Sequence, residues 1–235
     1  MPTGKFYGFN FYGRRRGKKI SGLKKRLIED FLPSVSVSGI GYKENPNREY
    51  ISFFKIFGSH CPVWIEVGFG GGEHLLSIAQ GNTNVGFIGC EPYLNGMAMF
   101  LSKLHNSKLS NVRVIMDDAR ILFDVTPTSS ISKLFLLFPD PWPKRRHADR
   151  RFINKNNIKV LKRIIRSGGI LHIATDVDMY VKHVLETFLD ENEFEWLAER
   201  PKDWKLPWPG WKSTRYEEKA INSGKRVTYL TFRRL

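Results

Sequence analysis

The chain has 235 residues, 41% of them hydrophobic, and its 38 lysines and arginines against 23 acidic residues give a formal net charge of +15. This length and apolar share fit one domain with a packed core and an extension, and no apolar stretch reaches the 18 residues expected of a membrane span. The charge favours a polyanionic partner, chiefly nucleic acid. Two cysteines in apolar segments and an N-terminus without a signal-like apolar run predict a reducing compartment such as the cytoplasm.

Basic residues are concentrated near the N-terminus. The segment at residues 14–26, "RRRGKKISGLKKR", carries eight basic residues and no acidic one. Its glycines and weak apolar periodicity are typical of a mobile arm, and its charge suits a phosphate backbone. The sequence therefore predicts a basic, partly mobile extension over residues 1–50 and a folded domain over residues 51–235.

From about residue 60, short apolar runs alternate with helical patterns. The predicted strands are "VWIEVG", "VGFIGC", "VRVIM", "KLFLLF", "GILHIAT" and "VTYLTF", and the predicted helices lie near residues 72–80, 92–106, 152–166 and 177–190. This alternation predicts an α/β fold, a Rossmann-like, doubly wound and mostly parallel sheet covered on both faces. The last run follows a Pro/Trp-rich loop rather than a helix, which predicts an antiparallel pair at the end of the sheet.

A glycine-rich loop, "GFGGGE", follows the first predicted strand. Gly68 and Gly70 allow a sharp turn and a close approach of the backbone to a ligand. A dinucleotide site would require glycine at position 73, where this chain has Glu73, and Glu66 ends the strand. Two carboxylates at the loop would repel phosphate, so they favour a cationic ligand such as an ammonium or a sulfonium.

Acidic residues also follow the next two strands. Glu91 ends the second strand, where a carboxylate can accept the ribose hydroxyls of an adenosine moiety, and Asp118 follows the third, where it can accept from an adenine amino group. Either residue can equally well cap a helix without binding a ligand. Three acids at the carboxyl ends of successive strands nevertheless favour a ligand site at that rim.

The fourth strand ends in the segment "FPDPWPKRRHADRR". Pro139 and Pro141 flank Asp140, and because proline restricts its own backbone and that of the preceding residue, the carboxylate is held extended. Trp142 offers a flat face for a base or for a loop wall. The basic residues that follow can meet phosphates; they are Lys144, Arg145, Arg146, Arg150 and Arg151.

These motifs resemble the bacterial tRNA (guanine-N7-)-methyltransferases over roughly residues 50–235. The segment "FPDPWPKRRHADRR", which begins with the turn around Pro139, Asp140 and Pro141 (the proline turn), is similar to the family's signature. "EVGFGGGEHL" is similar to its cofactor loop and "STRYEEKA" to its C-terminal Thr-x-aromatic-Glu element. The resemblance implies a class I methyltransferase fold that transfers a methyl group from S-adenosylmethionine to N7 of a guanine in tRNA, at position 46 of the variable loop. It assigns the cofactor to Glu66, Glu91, Asp118 and Asp140 with the loop of Gly68 and Gly70, and the tRNA to Lys144, Asp176, Thr214, Arg215, Tyr216 and Glu217.

Asp140 is our candidate catalytic residue. Guanine N7 carries a free lone pair and needs no base to become a nucleophile, and its methylation makes the purine cationic. A fixed carboxylate beside the base favours that charge. No cysteine lies near the site motifs, so a covalent thiolate intermediate is not expected, and neither is a metal.

Several alternatives remain open from the sequence. The chain could methylate another exposed RNA base, or it could bind RNA on this scaffold without catalysis; a nicotinamide dehydrogenase fits least because of Glu73. The loop "RPKDWKLPWPGW" can line the pocket that receives the target base, or it can pack on the sheet. Glu217 can orient the base or pair with Arg215. Asp149 has no assigned role, and the protein is expected to be a monomer or a homodimer.

Overall fold

The computed structural model describes residues 10–235, and residues 1–9 of the predicted extension lie outside the described part. One seven-stranded sheet, ordered β3-β2-β1-β4-β5-β7-β6, organises the molecule. The strands are β1 (Val63–Val67), β2 (Gly86–Cys90), β3 (Val112–Ile115), β4 (Ile131–Leu137), β5 (Ile165–Thr175), β6 (Phe194–Trp196) and β7 (Thr228–Arg234). Strands β1 to β5 are parallel, and β7 pairs antiparallel with both β5 and β6.

Ten α-helical segments surround the sheet in residues 10–235. They are α1 (Gly22–Arg26), α2 (Leu32–Val35), α3 (Phe53–Phe57), α4 (Glu73–Gly81), α5 (Leu94–Ser107), α6 (Ala119–Val125), α7 (Lys155–Ile164), α8 (Asp178–Leu189), α9 (Lys202–Lys205) and α10 (Arg215–Asn222). A π-helical turn at Leu27–Phe31 joins α1 to α2, and a 3-10 helix spans Arg145–Arg150. Across these residues no helix has both the length and the apolar character that crossing a bilayer requires.

The predicted strands and the four predicted helices are confirmed. Apolar residues fill both faces of the central strands: Ile65 and Leu136 join one core cluster, while Phe87 and Phe135 join the other. Such two-sided burial is why these strands read as near-continuous apolar runs. The predicted antiparallel finish is also confirmed, with β7 inserted between β5 and β6.

The strand order places a switch point between β1 and β4. From β1 the chain proceeds outward through β2 and β3, and then returns to the other side of β1 as β4. The loops that leave β1 and β4 therefore turn to opposite faces and leave a crevice at the carboxyl ends of the strands, where open α/β sheets bind ligands. The glycine loop and the proline turn flank this crevice.

The basic extension contacts the domain at several points. Leu32, Val35, Val37 and Ile40 are buried and join the core clusters. Within residues 10–20, the carbonyl of Arg15 accepts a hydrogen bond from the amide of Leu94 at 2.9 Å. The domain boundary at residue 50 and the mobility of the arm stay predictions, but this part of the chain supplies apolar packing as well as charge.

The Pro/Trp-rich loop at residues 200–211 packs on the sheet. Trp208 stacks on His172 with ring centroids 4.1 Å apart, and Phe135 stacks on the same imidazole at 5.2 Å. Trp208 and Trp211 are partly buried against the core, and they do not line the pocket at the carboxyl ends of β1 and β4. Of the two interpretations left open by the sequence, the structure therefore shows sheet packing.

Burial of His172 makes the fold sensitive to acid. Burial, followed by the charge of Lys133, lowers the pKa of His172 to about 3, from an ordinary value of about 6.5. Below about pH 6.5 the unfolded chain binds a proton that the folded chain does not, so stability falls by about 1.4 kcal/mol per pH unit between those two values and is unaffected above them. We expect His172→Phe, which preserves the ring stack, to reduce this loss when unfolding free energies are compared at pH 7 and pH 5. The exposed His60→Phe is the control, and an unchanged pH dependence in His172→Phe would contradict the prediction.

Candidate active site

A pocket of about 450 Å³ opens at the switch point between β1 and β4. Its walls include the glycine loop, the end of β2, the start of α6 and the proline turn. Six of the residues predicted from the sequence line it: Gly68, Gly70, Glu91, Asp118, Asp140 and Tyr216. The topology thus brings together most of the predicted cofactor residues.

The glycine loop is tied to the end of β2. Gly68 and Gly70 have φ angles of 70° and 56°, in the left-handed region that glycine tolerates. The Gly70 amide donates to Glu91 Oε2 at 2.6 Å, and the Tyr93 amide donates to Oε1 of the same carboxylate at 2.8 Å. A Cβ at Gly96 would lie 2.8 Å from the Gly70 carbonyl oxygen, so α5 also approaches the loop closely. Glu91 therefore shapes the loop in addition to facing the pocket.

The Glu91 carboxylate is repelled by one acid of the pocket lining and by one buried acid near it. Burial raises the pKa of Glu91, and the negative charges of Glu66 and Asp140 raise it further, against the lowering effect of the two backbone hydrogen bonds. A cation placed among these carboxylates would relieve the repulsion. This repulsion favours a cationic ligand, which stays a prediction.

Asp118 caps α6 and also lines the pocket. Its carboxylate accepts from the Arg120 amide at 2.9 Å and from the Arg120 guanidinium at 2.7 Å. The helix-cap interpretation is therefore confirmed, and the contact with an adenine amino group stays a prediction, for which the position of Asp118 on the ligand rim is suitable. Glu73, by contrast, accepts from Lys103 at 2.6 Å and pairs with Arg215 at 3.3 Å, so its charge is already opposed by cations of the chain.

The proline turn is held in a strained conformation. Phe138 and Trp142, on either side of the Pro-Asp-Pro unit, have φ angles of 50° and 41°, which side chains other than glycine rarely adopt. Asp140 lies exposed at the tip and lines the pocket. Strain of this kind persists only where surrounding contacts enforce it, and it is concentrated at functional sites.

Arg151 supplies those contacts, which corrects its predicted role. Its side chain is buried and donates to the carbonyl oxygens of Pro141 at 3.1 Å and Trp142 at 3.2 Å. The sequence placed Arg151 with the phosphate-binding cations, but its donors are directed inward. Lys144, Arg145 and Arg146 remain exposed where the turn leads into the 3-10 helix, so the cationic surface is shorter than the charge run predicts.

Glu66 is buried beneath the pocket. Its Oε2 forms a 2.7 Å hydrogen bond with Nδ1 of His74, and both side chains are almost completely buried. Among residues 10–235 the second ring nitrogen of His74 has no hydrogen-bond partner. The cofactor role of Glu66 stays a prediction, and His74, to which sequence reasoning assigned no role, is the residue that fixes its orientation.

The C-terminal element bridges the glycine loop and the proline turn. Thr214 caps α10 by accepting from the Glu217 amide at 3.2 Å, and Arg215 pairs with Glu73. Tyr216 stacks over Phe138 at 6.2 Å. Glu217 is buried and accepts from Trp211 Nε1 at 2.8 Å and from the Tyr229 hydroxyl. The described residues contain no ion pair between Glu217 and Arg215, because Arg215 pairs with Glu73 instead. The other role open for Glu217, orienting the base, stays a prediction.

The other predicted substrate residues lie apart from the pocket lining. Lys144 is exposed ahead of the 3-10 helix, and Asp176 pairs with Lys225 at 2.8 Å after β5. Their assignment to the tRNA stays a prediction. Asp149, unexplained by the sequence, is one of the residues that line the pocket.

Sequence reasoning missed the N-terminal strap, which we define as residues 10–18. Residues 10–14 line the pocket, and the strap is fastened on both sides: the Arg120 guanidinium donates to the Asn10 carbonyl at 3.1 Å, and Gly17 donates to Asn95 Oδ1 at 2.9 Å. The basic run drew attention to charge in this region, but no local pattern indicates where such a segment docks. In residues 10–235, no group of three His, Cys, Asp or Glu side chains is arranged to hold a metal.

Comparisons with known proteins found similar methyltransferases. The model of a family described as "Putative methyltransferase" matches residues 60–230. The chain is 48% identical over 225 residues to a tRNA (guanine-N(7)-)-methyltransferase of Ruegeria sp. (strain TM1040), covering 96% of this chain and 88% of that protein. It is 45% identical to the protein of the same name from Roseobacter denitrificans, with 95% of each chain covered. A solved structure of the 16S rRNA methyltransferase KamB is similar in fold, with a TM-score of 0.55 and 15% identity, covering 80% of this chain and 95% of that one.

Proposed function

Because the chain belongs to the family of tRNA (guanine-N7-)-methyltransferases, we propose that it methylates N7 of a guanine in tRNA, at position 46 of the variable loop, with S-adenosylmethionine as the donor. The fold is that of a class I methyltransferase. The place of the pocket at the switch point of the sheet supports the assignment of the cofactor to this crevice.

The residues of the pocket fit S-adenosylmethionine. Glu91 and Asp118, at the ends of adjacent strands, suit an adenosine moiety, because a carboxylate retains free lone pairs after accepting the backbone bonds described above. Gly68 and Gly70 leave the loop without side chains on the approach to the ligand. The mutually repelling carboxylates suit a ligand with ammonium and sulfonium charges. When bound, this cofactor supplies a sulfonium methyl group, whose carbon can bond to the N7 lone pair while the S–C electron pair leaves on sulfur.

Methyl transfer moves one positive charge from sulfur to the purine and requires no proton transfer. The chain must therefore orient the base and favour the charge that develops on it. Asp140 can do both, since its carboxylate can accept hydrogen bonds from guanine N1–H and the exocyclic amine and oppose the purine cation.

The observation that carries the proposal is the position of Asp140. It projects at the tip of a strained turn, in the same pocket as Glu91 and Asp118, and Arg151 braces the turn from inside. A preorganised carboxylate costs no reorganisation when the charge appears.

Nucleoside analysis tests the function. Unmodified tRNA is incubated with the protein and methyl-labelled S-adenosylmethionine, then digested to nucleosides and analysed by mass. We expect label in 7-methylguanosine alone. Label in another base would indicate a different base methyltransferase, and tRNA binding without label or cofactor binding would indicate a non-catalytic RNA-binding protein.

Two exposed lysines at the end of the strap should strengthen tRNA binding by contacting phosphates. Lys18 ends the strap and Lys19 follows it; both are exposed and lie four and five residues after Arg14, the last pocket-lining residue of the strap. We expect the double variant Lys18→Gln/Lys19→Gln to weaken binding. The plot of log K against log salt should become less steep, by about 1 for each phosphate that the protein no longer neutralises.

The matched control is Lys202→Gln/Lys205→Gln, two exposed lysines at the ends of α9 and outside the pocket lining. Filter-binding titrations over a range of salt concentrations measure both variants. An unchanged slope for the Lys18/Lys19 variant would show that these side chains do not contact the phosphates.

A further inference from the structure

An aromatic notch forms part of the pocket wall, and its Trp142 lies two residues after Asp140 in the sequence. Tyr12 of the strap and Trp142 of the proline turn meet with ring centroids 6.0 Å apart and an interplanar angle of 73°. Both rings belong to the lining of the pocket that contains Asp140, and Tyr12 is 45% exposed. Two nearly perpendicular rings beside a carboxylate provide one face and one edge for a flat ligand.

The guanidinium of Arg150 occupies this notch. Its central carbon lies 4.3 Å from the Tyr12 ring centroid and 5.1 Å from that of Trp142. A guanidinium is planar, cationic and edged with N–H donors. Guanine contains the same fragment, since N1, C2, the exocyclic amine and N3 form a guanidine-like edge, and methylation at N7 makes the purine cationic as well. The notch therefore already holds a planar cation that resembles one edge of the expected product.

The walls of the notch are fixed. Tyr12 lies between two hydrogen bonds of the strap backbone, one at the Asn10 carbonyl and one at the Arg15 carbonyl. Arg15 adds an ion pair with Asp117 at 2.9 Å. On the other side, Arg151 holds the carbonyl of Trp142. Neither ring therefore belongs to a loose tail or an unbraced loop.

We propose that Tyr12 and Trp142 form the receiving site for the purine ring of the target guanine, which takes the place of the Arg150 guanidinium. This inference rests on the function proposed above and extends it, because it assigns the base to a site shared by the N-terminal strap and the proline turn. Arg150, once displaced, is free to donate to a phosphate of the incoming strand. The rings favour the methylated base over the unmethylated one, since a cation over an aromatic face is stabilised.

Binding of nucleosides tests the site separately from activity. The protein is saturated with S-adenosylhomocysteine and titrated with guanosine or 7-methylguanosine on the acidic side of neutrality, where N1 of the methylated base keeps its proton. We expect wild-type protein to prefer 7-methylguanosine by roughly three- to tenfold. Tyr12→Ala should lose the preference, and Tyr12→Phe should retain it.

A matched control is Tyr50→Ala. Tyr50 is an exposed tyrosine whose ring lies 5.5 Å from the guanidinium carbon of Arg163, outside the pocket lining, so its loss should leave the preference unchanged. Affinity for S-adenosylhomocysteine is measured for each variant. If Tyr12→Ala weakens that affinity as much as the nucleoside affinity, Tyr12 covers the cofactor and the proposal is overturned.

The proposal is also overturned if Tyr12→Ala binds 7-methylguanosine as wild type does. In that case wild-type protein would still place label in 7-methylguanosine of tRNA, and the proposed function would stand. Absence of 7-methylguanosine from the wild-type reaction is the separate result that removes the proposed function.

Discussion

Asp140→Asn is expected to lower kcat by about 100- to 1,000-fold, the range seen when one preorganised electrostatic group is removed from an active site. Asparagine retains the shape of the side chain and the proline-flanked backbone, but it removes the charge that opposes the cationic purine. The side chain is exposed, so the variant should fold normally and bind tRNA as the wild type does. Single-turnover methylation at saturating tRNA and cofactor measures the effect.

Asp149→Asn is the matched control for this variant. Asp149 is also an acid of the pocket lining, but it lies on the 3-10 helix rather than on the braced turn. A small loss of kcat in Asp149→Asn beside a large loss in Asp140→Asn would show that the fixed position of the carboxylate matters, and not only the negative charge of the pocket. Near-normal turnover in Asp140→Asn would remove this residue from the mechanism.

Glu217→Ala is expected to lower the free energy of unfolding by about 2–4 kcal/mol. The Glu217 carboxyl group is buried and accepts from Trp211 Nε1 and from the Tyr229 hydroxyl. Its removal leaves two donors without their partner and opens a cavity beneath α10, and each unsatisfied buried donor costs about 1–3 kcal/mol. Burial, together with Glu217, also raises the pKa of Tyr229, so that hydroxyl keeps its proton and remains a donor.

The adjacent Glu218→Ala provides the control, because Glu218 is exposed on the same turn of α10. Denaturant unfolding should show little change for Glu218→Ala and a large one for Glu217→Ala. Equal stability of the two variants would contradict a structural role for Glu217. The substrate role implied by family resemblance would then be the better explanation of this position.

The sequence predicted those parts of the site that depend on local backbone chemistry. Prolines on both sides predicted a fixed carboxylate at Asp140, and Gly68 and Gly70 predicted a sharp turn, for which the structure shows left-handed φ angles. Parallel strands bring their carboxyl ends to one rim, so Glu91 and Asp118 could be placed beside them from the strand pattern alone. Each of these inferences needs only neighbouring residues or the period of a strand.

The remaining features depend on contacts between distant parts of the chain. Arg151 lies in a basic run and has the composition of a phosphate ligand, yet its donors reach back to the carbonyls of Pro141 and Trp142. Tyr12 meets Trp142 from a distant part of the sequence, and no local pattern encodes that approach. Whether a polar side chain braces the fold or faces a ligand is decided by tertiary packing, which periodicity does not report.

The most direct test of the central claim maps the methyl group in tRNA. Wild-type protein is incubated with methyl-labelled S-adenosylmethionine and either unmodified tRNA or the same tRNA with adenine in place of the guanine at position 46. The proposed function predicts label in 7-methylguanosine at that position of the first tRNA and none in the second. Equal labelling of the two tRNAs, or label in any nucleoside other than 7-methylguanosine, would contradict it.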